Sequence, residues 1–284
     1  MKRIIFTIAT LAGLLLQGNS QSLLWKIYGK GLRDTSYLYG TIHIQDKRVF
    51  QFDSIVYDKM NAVEAYAMEL NPEKIDMEAM KKQMLMKKHT LKELLPDSDY
   101  QYLNDYMQKK MGTGVLLYNK MKPFFLESQL SQMDMPKDKK KALDLYFFDY
   151  AKKHQKITLG IEKLEDQLGA IKAISLSDQA KMLMQTVRDT TQTDFEDLLN
   201  AYLHADFDKF AELMKDTSLP SNFEEALLTK RNKGMAKHII QYCKTQPTFN
   251  AIGAAHLPGP NGVIALLRKK GYMVEPIPFK FKGN

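Results

Sequence analysis

The sequence predicts an α/β fold: a central mixed, largely parallel sheet flanked by helices, with long helical insertions forming a cap. Short segments rich in aromatic and β-branched residues alternate along the chain with segments at helical spacing. Two long stretches of good helix formers, at about 73–155 and 164–242, exceed the length of simple connections between strands. The hydrophobic fraction of 44% excludes a disordered chain and supports one sizeable domain over residues 21–284.

The first twenty residues are predicted to be a signal peptide. Lys2 and Arg3 precede an apolar stretch at 4–16, and small residues at 18–20 suit cleavage before Gln21. The stretch is shorter than the roughly 20 residues that span a bilayer, and no cysteine follows it to accept a lipid. We therefore expect an exported protein, periplasmic or secreted. The alternative is an uncleaved N-terminal anchor.

The first half of the predicted sheet contains three strands. Residues 24–28 are short and apolar, and residues 36–43 are rich in aromatic and β-branched side chains, so these two segments are predicted to pair. Residues 50–60 have helical spacing. The apolar run at 63–70 is stopped by an Asn-Pro pair and predicts a buried strand, because the residue before a proline avoids the helical conformation.

The second half of the predicted sheet is interrupted by the helical stretches. Prolines and glycines divide the first stretch into several helices, and the Ile-Thr-Leu-Gly-Ile-Glu segment at 157–162 is predicted to be a short strand. After the second stretch, residues 249–256 form an apolar run typical of a buried strand. A helix at 262–270 and a final strand at 272–277 complete the predicted domain.

Two histidines and two glutamates stand at the ends of these strands. His43 and His256 each complete a Gly-x-x-His motif, and Glu69 and Glu162 end two other apolar strands. Ligands in open α/β sheets bind beyond the carboxyl ends of the strands, where distant side chains converge. Imidazole and carboxylate groups suit a divalent ion such as zinc, manganese or cobalt. The alternative is that each side chain merely closes its strand through hydrogen bonds.

Other classes of function have little support in the sequence. Cys243 is the single cysteine, which excludes an intramolecular disulfide and any cysteine-rich metal site. Removing Lys2 and Arg3 leaves 39 basic against 33 acidic residues. An exported protein rarely meets nucleic acid, so we interpret this excess as a solvated surface that suits association with an anionic envelope. No phosphate loop, dinucleotide fingerprint or Gly-x-Ser-x-Gly elbow is present.

Four motifs stand out together: Gly-Thr-Ile-His at 40–43, Gly-Ile-Glu at 160–162 followed by Gln167, Arg-Asn at 231–232, and Gly-Ala-Ala-His at 253–256. This set resembles the motifs of the TraB/GumN family, which belongs with the Tiki metalloproteases. That family is more distantly related to erythromycin esterase and to the ChaN-like haem-binding proteins. The resemblance covers about residues 24–277.

The resemblance implies a divalent-metal-dependent hydrolase, a peptidase, acting on a peptide or small-molecule substrate. By motif, His43 and His256 become the metal or catalytic histidines. Glu69 and Glu162 compete for the acidic role, and Arg231 becomes an oxyanion or substrate-carboxylate contact. In such a site the metal polarises the scissile carbonyl and lowers the pKa of bound water, while a glutamate takes the proton.

Two other hypotheses remain open. The first is a non-catalytic binding protein that holds a peptide, haem or another apolar ligand in the same cleft. Tyrosine-rich strands, with Tyr37, Tyr39 and Tyr66, and 17 methionines are compatible with an apolar pocket. The second is a metal-free esterase that uses the same histidines and glutamates as acid and base. The metal content of the purified protein distinguishes these hypotheses.

Overall fold

A six-stranded mixed sheet forms the centre of the molecule in the computed structural model, which describes residues 22–189, 193–213 and 224–282. The predicted signal peptide and its cleavage site at Gln21 lie outside the described residues. The strands are β1 (Leu24–Tyr28), β2 (Ser36–Thr41), β3 (Ala65–Met68), β4 (Ile157–Gly160), β5 (Thr248–Gly253) and β6 (Met273–Pro276). Their order across the sheet is β4-β3-β5-β2-β1-β6, so the predicted α/β fold is confirmed.

Four neighbouring strands of the sheet run parallel to one another. Strand β5 pairs with β3 on one side and with β2 on the other, and β3 also pairs with β4. In this register Ala251 lies opposite Tyr39 of β2 and Met68 of β3. Strand β1 is antiparallel to both β2 and β6, and the short connection from β1 to β2 suits an antiparallel pair. The carboxyl ends of β2, β3, β4 and β5 therefore meet at one edge of the sheet.

The observed strands stop earlier than the predicted ones at this edge. The strand predicted over 36–43 ends at Thr41, and the one predicted over 249–256 ends at Gly253 and continues as a 3-10 turn, Ala254–His256. The strands predicted over 63–70 and 157–162 are likewise two residues shorter at this end. The two histidines and two glutamates of the predicted site therefore lie just beyond the strands, where the hydrogen bonds between neighbouring strands end.

Helices account for most of the remaining described residues. No helix among the described residues is both long enough and apolar enough to cross a bilayer. The α-helices are α1 (Ile55–Asn61), α2 (Met77–Met84), α3 (Leu91–Leu94), α4 (Asp97–Met111), α5 (Pro123–Asp134), α6 (Leu143–Lys153), α7 (Leu164–Lys172), α8 (Leu176–Arg188), α9 (Thr193–Leu203), α10 (Phe207–Leu213), α11 (Lys230–Thr245) and α12 (Val263–Lys269).

The helix predicted over 50–60 begins later than predicted, at Ile55 of α1. A 3-10 turn, Lys47–Phe50, precedes it, and an aspartate stands shortly before the turn and before the helix. The Asp46 carboxylate accepts the Arg48 N–H at 2.8 Å, and the Asp53 carboxylate accepts the Ile55 N–H at 3.0 Å. Aspartates at helix starts satisfy amides that have no partner within the helix. The two aspartates therefore favour separate starting points for the turn and for α1.

Two separate hydrophobic clusters are buried in the described part of the chain. The main cluster packs helices α6 and α11 against the sheet, with Phe147 of α6 in edge contact with Tyr39 at a centroid distance of 5.3 Å. The second cluster, which we call the cap core, lies among α3, α4, α5 and α8. It includes Leu103 of α4, Leu126 of α5 and Leu183 of α8. The cap core therefore combines helices from both predicted insertions.

We expect a fragment of residues 73–155, expressed alone, to show no cooperative thermal transition. It lacks α8, which supplies Ala180, Leu183, Met184 and Val187 to the cap core. It would also expose the face of α6 that packs on the sheet, so too little apolar surface would be buried to offset the loss of chain entropy. Circular dichroism during heating measures this, with the full chain as the cooperative control. A sharp transition in the fragment would show that the cap folds independently.

Candidate active site

Four predicted site residues lie at one edge of the sheet, in the order of the strands that carry them. Glu162 follows β4, Glu69 follows β3, His256 follows β5 and His43 follows β2. Adjacent parallel strands deliver their carboxyl ends to the same edge, so residues far apart in sequence become neighbours there. The contacts of the four side chains differ, however, and each has its own partners.

The two glycines that open the Gly-x-x-His motifs allow this close approach. A Cβ atom on Gly40 would lie 2.7 Å from a Leu257 methyl carbon and 3.2 Å from the Ala254 Cα. A Cβ atom on Gly253 would lie 3.1 Å from the Glu69 Oε1. Real Cβ contacts are rarely so short, so a larger residue would have to displace the Leu257 methyl group or the Glu69 carboxylate. The glycine in each motif therefore leaves room for the groups that pack around the site.

Arg231 links the two glutamates. Its Nη2 donates to Glu69 Oε2 at 2.9 Å and to Glu162 Oε2 at 2.6 Å, and its Nε donates to Glu162 Oε1 at 3.0 Å. Gln167 Nε2 donates to the same two Oε2 atoms at 3.2 Å each. The side chains of Glu69 and Glu162 are only 10% and 3% exposed, so two buried negative charges share one guanidinium.

These surroundings keep Glu69 ionised. Burial raises its pKa, but the positive charge that His256 carries in acid, the charges of His43 and Arg231 and the hydrogen bond from the Gly253 N–H outweigh that effect and lower the pKa to about 2. The Gly253 N–H donates to Glu69 Oε1 at 2.6 Å. Burial lowers the pKa of Arg231, but hydrogen bonds and charges from the two glutamates give a net increase. Glu69 is therefore suited to hold a positive charge and poorly suited to accept a proton near neutral pH.

His256 is buried and has a fixed orientation. Its Nδ1 lies 2.6 Å from Asn232 Oδ1, and Asn232 Nδ2 donates to the Asn261 carbonyl at 2.9 Å. This network assigns the hydrogen to Nδ1, because an amide oxygen only accepts. Burial lowers the pKa of His256 to about 4, with Arg231 and His43 acting in the same direction and Glu69 opposing them. The neutral ring therefore presents an Nε2 lone pair, 3.8 Å from Glu69 Oε1.

His43 lies at the more open side of the site. Its Nδ1 is 3.1 Å from Asp144 Oδ1 near the start of α6, and 58% of its side-chain surface is exposed. Packing around the ring lowers its pKa, but the hydrogen bond and charge of Asp144, with a contribution from Glu69, raise the pKa to about 9. The ring and Asp144 also line a cavity of about 650 Å³ that extends towards α5 of the cap. His43 is therefore the histidine of the candidate site that solvent or a ligand in the cavity can reach.

The donor chemistry of the site fits a divalent cation. His256 Nε2 and Glu69 Oε1 are two electron-pair donors that face each other in a buried site, an arrangement that a cation would stabilise. The other ring nitrogen of His256 is hydrogen-bonded to Asn232, and that of His43 lies 3.1 Å from the Asp144 carboxylate, as is typical of metal-binding histidines. Within the described ranges, however, no group of three or more His, Cys, Asp or Glu side chains is gathered for a metal ion.

The structure therefore separates the predicted site residues into two groups. His256 and Glu69 face each other, whereas Glu162 has both oxygens on Arg231 and His43 is held by Asp144. Arg231, expected to contact an oxyanion or a substrate carboxylate, instead donates to the two glutamates and to the Leu227 carbonyl.

Sequence reasoning missed one residue of the site entirely. Asp144 lies in the first turn of a helix, where an acidic residue is ordinarily interpreted as favourable to the helix dipole, so nothing marked it as a partner of His43. Asn232 and Gln167 were part of the motifs that carry the family resemblance, but their roles as hydrogen-bond partners become visible only in the fold.

Comparisons with known proteins agree with these motifs. The model described as the TraB/PrgY/gumN family matches residues 23–276. The protein named Metalloprotease TIKI1 of Danio rerio is 26% identical over 321 residues, which cover 92% of this chain and 64% of that protein. Metalloprotease TIKI2 of Xenopus tropicalis is 25% identical over 329 residues, which cover 92% of this chain and 61% of that protein. The chain thus spans less than two thirds of the length of these relatives. No solved structure matches the chain.

Proposed function

Because the chain belongs to the TraB/PrgY/gumN family, we propose that it is a divalent-metal-dependent hydrolase that cleaves peptides. The observation that carries the proposal is the pair formed by His256 Nε2 and Glu69 Oε1, two facing donors 3.8 Å apart at the carboxyl edge of the parallel strands. The relatives are named metalloproteases, which supports the same class of reaction.

In this proposal His256, Glu69 and His43 would hold the ion, with Glu162 as the second carboxylate beside them, and His43 would release the proton that Asp144 stabilises. Imidazole and carboxylate ligands favour manganese, cobalt or zinc. When bound, such an ion supplies Lewis acidity for cleavage of an amide. Asn232 fixes the ring of His256 so that Nε2 faces Glu69.

Arg231 and Gln167 have a supporting role in this proposal. Their hydrogen bonds hold Glu69 Oε2 and Glu162 Oε2 together, and the guanidinium compensates the negative charge of the two carboxylates. Three of the arginine nitrogens are already engaged with protein acceptors. We therefore assign Arg231 to the organisation of the site and do not assign it a direct contact with the substrate.

Removal and return of the metal test the proposal. We expect purified protein to contain a divalent ion by elemental analysis, and chelation followed by dialysis to abolish cleavage of a mixed peptide library measured by mass spectrometry. Manganese, cobalt or zinc should restore cleavage, because binding of the ion requires only deprotonated ligands and the folded site. Thermal unfolding of the metal-free protein controls for loss of the fold.

The outcome of that experiment also separates the alternatives. Full peptide cleavage without metal would overturn the metal-dependent mechanism and favour acid–base hydrolysis by the same histidines and glutamates. Retention of a peptide or haem without turnover, in protein loaded with each metal, would overturn the hydrolase and favour a binding protein.

We also propose that the protein is exported and that the mature chain begins near Gln21. The supporting observation is the order of a Lys-Arg pair, an apolar stretch at 4–16 and small residues at 18–20. Intact-mass measurement of the protein recovered outside the cytoplasm tests this. A mass that retains residues 1–20, or recovery only in detergent, would contradict it.

A further inference from the structure

The cavity beside His43 has walls with a distinct composition. Its volume of about 650 Å³ lies within the range of ordinary ligand sites. His43 and Asp144 form one wall, and helix α5 contributes Gln129, Gln132 and Met133 to another. A ligand bound in this cavity would therefore contact the imidazole of His43, which we place in the candidate active site.

The remaining wall carries positive charge. Lys137, Lys140 and Lys141 line the cavity and are exposed. Lys141 is paired, because its Nζ lies 2.5 Å from Asp149 Oδ2. In the parts of the chain that the structure describes, Lys137 and Lys140 have no acidic partner within ion-pair distance. Among the described residues on these walls Asp144 is the one acidic side chain, and it is bound to His43. The cavity therefore has two uncompensated ammonium groups.

The lysine-bearing segment is fastened to the chain that carries His43. The Lys139 N–H donates to the Gln45 carbonyl at 3.0 Å, and the Lys47 N–H donates to Asp138 Oδ2 at 3.0 Å. The Lys139 ammonium also lies over the ring of Phe50, 5.7 Å from its centroid. These contacts join residues 137–141 to the segment that follows β2. The positive wall is therefore held at a fixed side of the candidate catalytic residues.

We propose that this cavity binds an acidic stretch of a peptide, with Lys137 and Lys140 pairing with Asp or Glu side chains of the substrate. This inference deepens the proposed function and rests on it for the cleavage step. The glutamines of α5 offer hydrogen bonds to a peptide backbone, and Met133, Met135 and Leu145 offer apolar contact to the carbon stems of the acidic side chains. The two ammonium groups attract the negatively charged peptide during its approach, and they form ion pairs with its carboxylates once it is bound.

Binding of matched peptides to the metal-depleted full chain tests the proposal without turnover. One fluorescent peptide contains Glu residues, and the other is identical except that Gln replaces each Glu. Fluorescence anisotropy should show about threefold to tenfold tighter binding of the Glu peptide, since each exposed pair contributes modestly. The preference should shrink at high salt, where solvent-exposed charges are screened.

Two double variants show whether the cavity lysines are responsible. K137Q/K140Q should remove the preference for the Glu peptide, and K137E/K140E should reverse it towards a Lys peptide. The matched control is K87Q/K88Q, which removes two exposed lysines of the helical region that do not line the cavity. Because all these side chains are exposed, the variants should unfold at the temperature of the unmodified protein.

The results distinguish failure of this inference from failure of the hydrolase proposal. Equal binding of the Glu and Gln peptides, or an unchanged preference in K137Q/K140Q, would overturn the acidic-peptide inference even if metal-dependent cleavage is observed. Displacement of the Glu peptide by millimolar inorganic phosphate would show a simple anion site and would also overturn it. A lysine-dependent preference in a protein that cleaves nothing after metal is restored would support the inference and contradict the hydrolase.

Discussion

The variant R231M is expected to lower the free energy of unfolding by about 3–5 kcal/mol. In the native protein the guanidinium of Arg231 donates to both Glu69 and Glu162, and all three side chains are at most 13% exposed. Methionine fills a similar volume but leaves two buried carboxylates without a positive charge between them. Removing one partner of a buried ion pair costs more than the pair itself contributes, because the remaining charge is desolvated and uncompensated.

Urea denaturation at neutral pH measures this loss. The triple variant E69Q/E162Q/R231M removes the charges together and should recover part of the lost stability. The control is R188M, since Arg188 pairs with Asp99 while 53% of its side chain is exposed, and loss of this pair should cost at most about 1 kcal/mol. If R231M lowers the free energy of unfolding no more than R188M does, another group compensates the charges of Glu69 and Glu162, and Arg231 does not have the role described.

The variant H256A is expected to lose metal and to lower peptide hydrolysis by about a thousandfold or more, because the Lewis acidity that a bound ion would supply is worth several kcal/mol of transition-state stabilisation. The variant H43A should have the same effect on both measurements. Elemental analysis reports the metal content, and initial rates on the peptide library report activity. The fold should persist, since both residues lie beyond the strand ends, and thermal unfolding of each variant verifies it.

The matched controls for these variants are H154A and H204A. The Nδ1 atoms of His154 and His204 lie 2.8 Å from the Tyr150 and Asn200 carbonyls of the preceding helical turns, and neither histidine belongs to a Gly-x-x-His motif. Both variants should retain metal and activity. Metal content equal to that of the unmodified protein in both H43A and H256A would reject the proposed metal site.

The sequence was sufficient to predict the order of strands and helices and the placement of four polar residues at strand ends. That prediction worked because apolar runs bounded by turn residues are a local signal, and because parallel strands necessarily share one edge. The exact partners could not be predicted in the same way. The contact between His43 and Asp144 depends on how α6 packs against the sheet, and the position of Arg231 between Glu69 and Glu162 depends on the direction of α11. Packing of this kind leaves no local pattern in the chain.

The packing partners of the cap helices could not be predicted from the sequence either. Helical spacing identified both long helical stretches, but it could not show that α5 and α8 share one core while α6 and α11 pack on the sheet. Each of these helices has an apolar face, and the face alone does not specify its partner. The division of the helices between two cores is therefore a property of the tertiary structure.

The central position of β5 has a consequence for synthesis on the ribosome. Strand β5 joins β2 to β3, yet it is the fifth of the six strands to be translated. Until it emerges, a nascent chain can form only a β1–β2 hairpin and a β3–β4 pair, and isolated two-stranded units are marginally stable. Their unpaired edges stay open to other chains during most of translation. We therefore expect the growing polypeptide to be a substrate for chaperones, and any product truncated before β5 to be degraded.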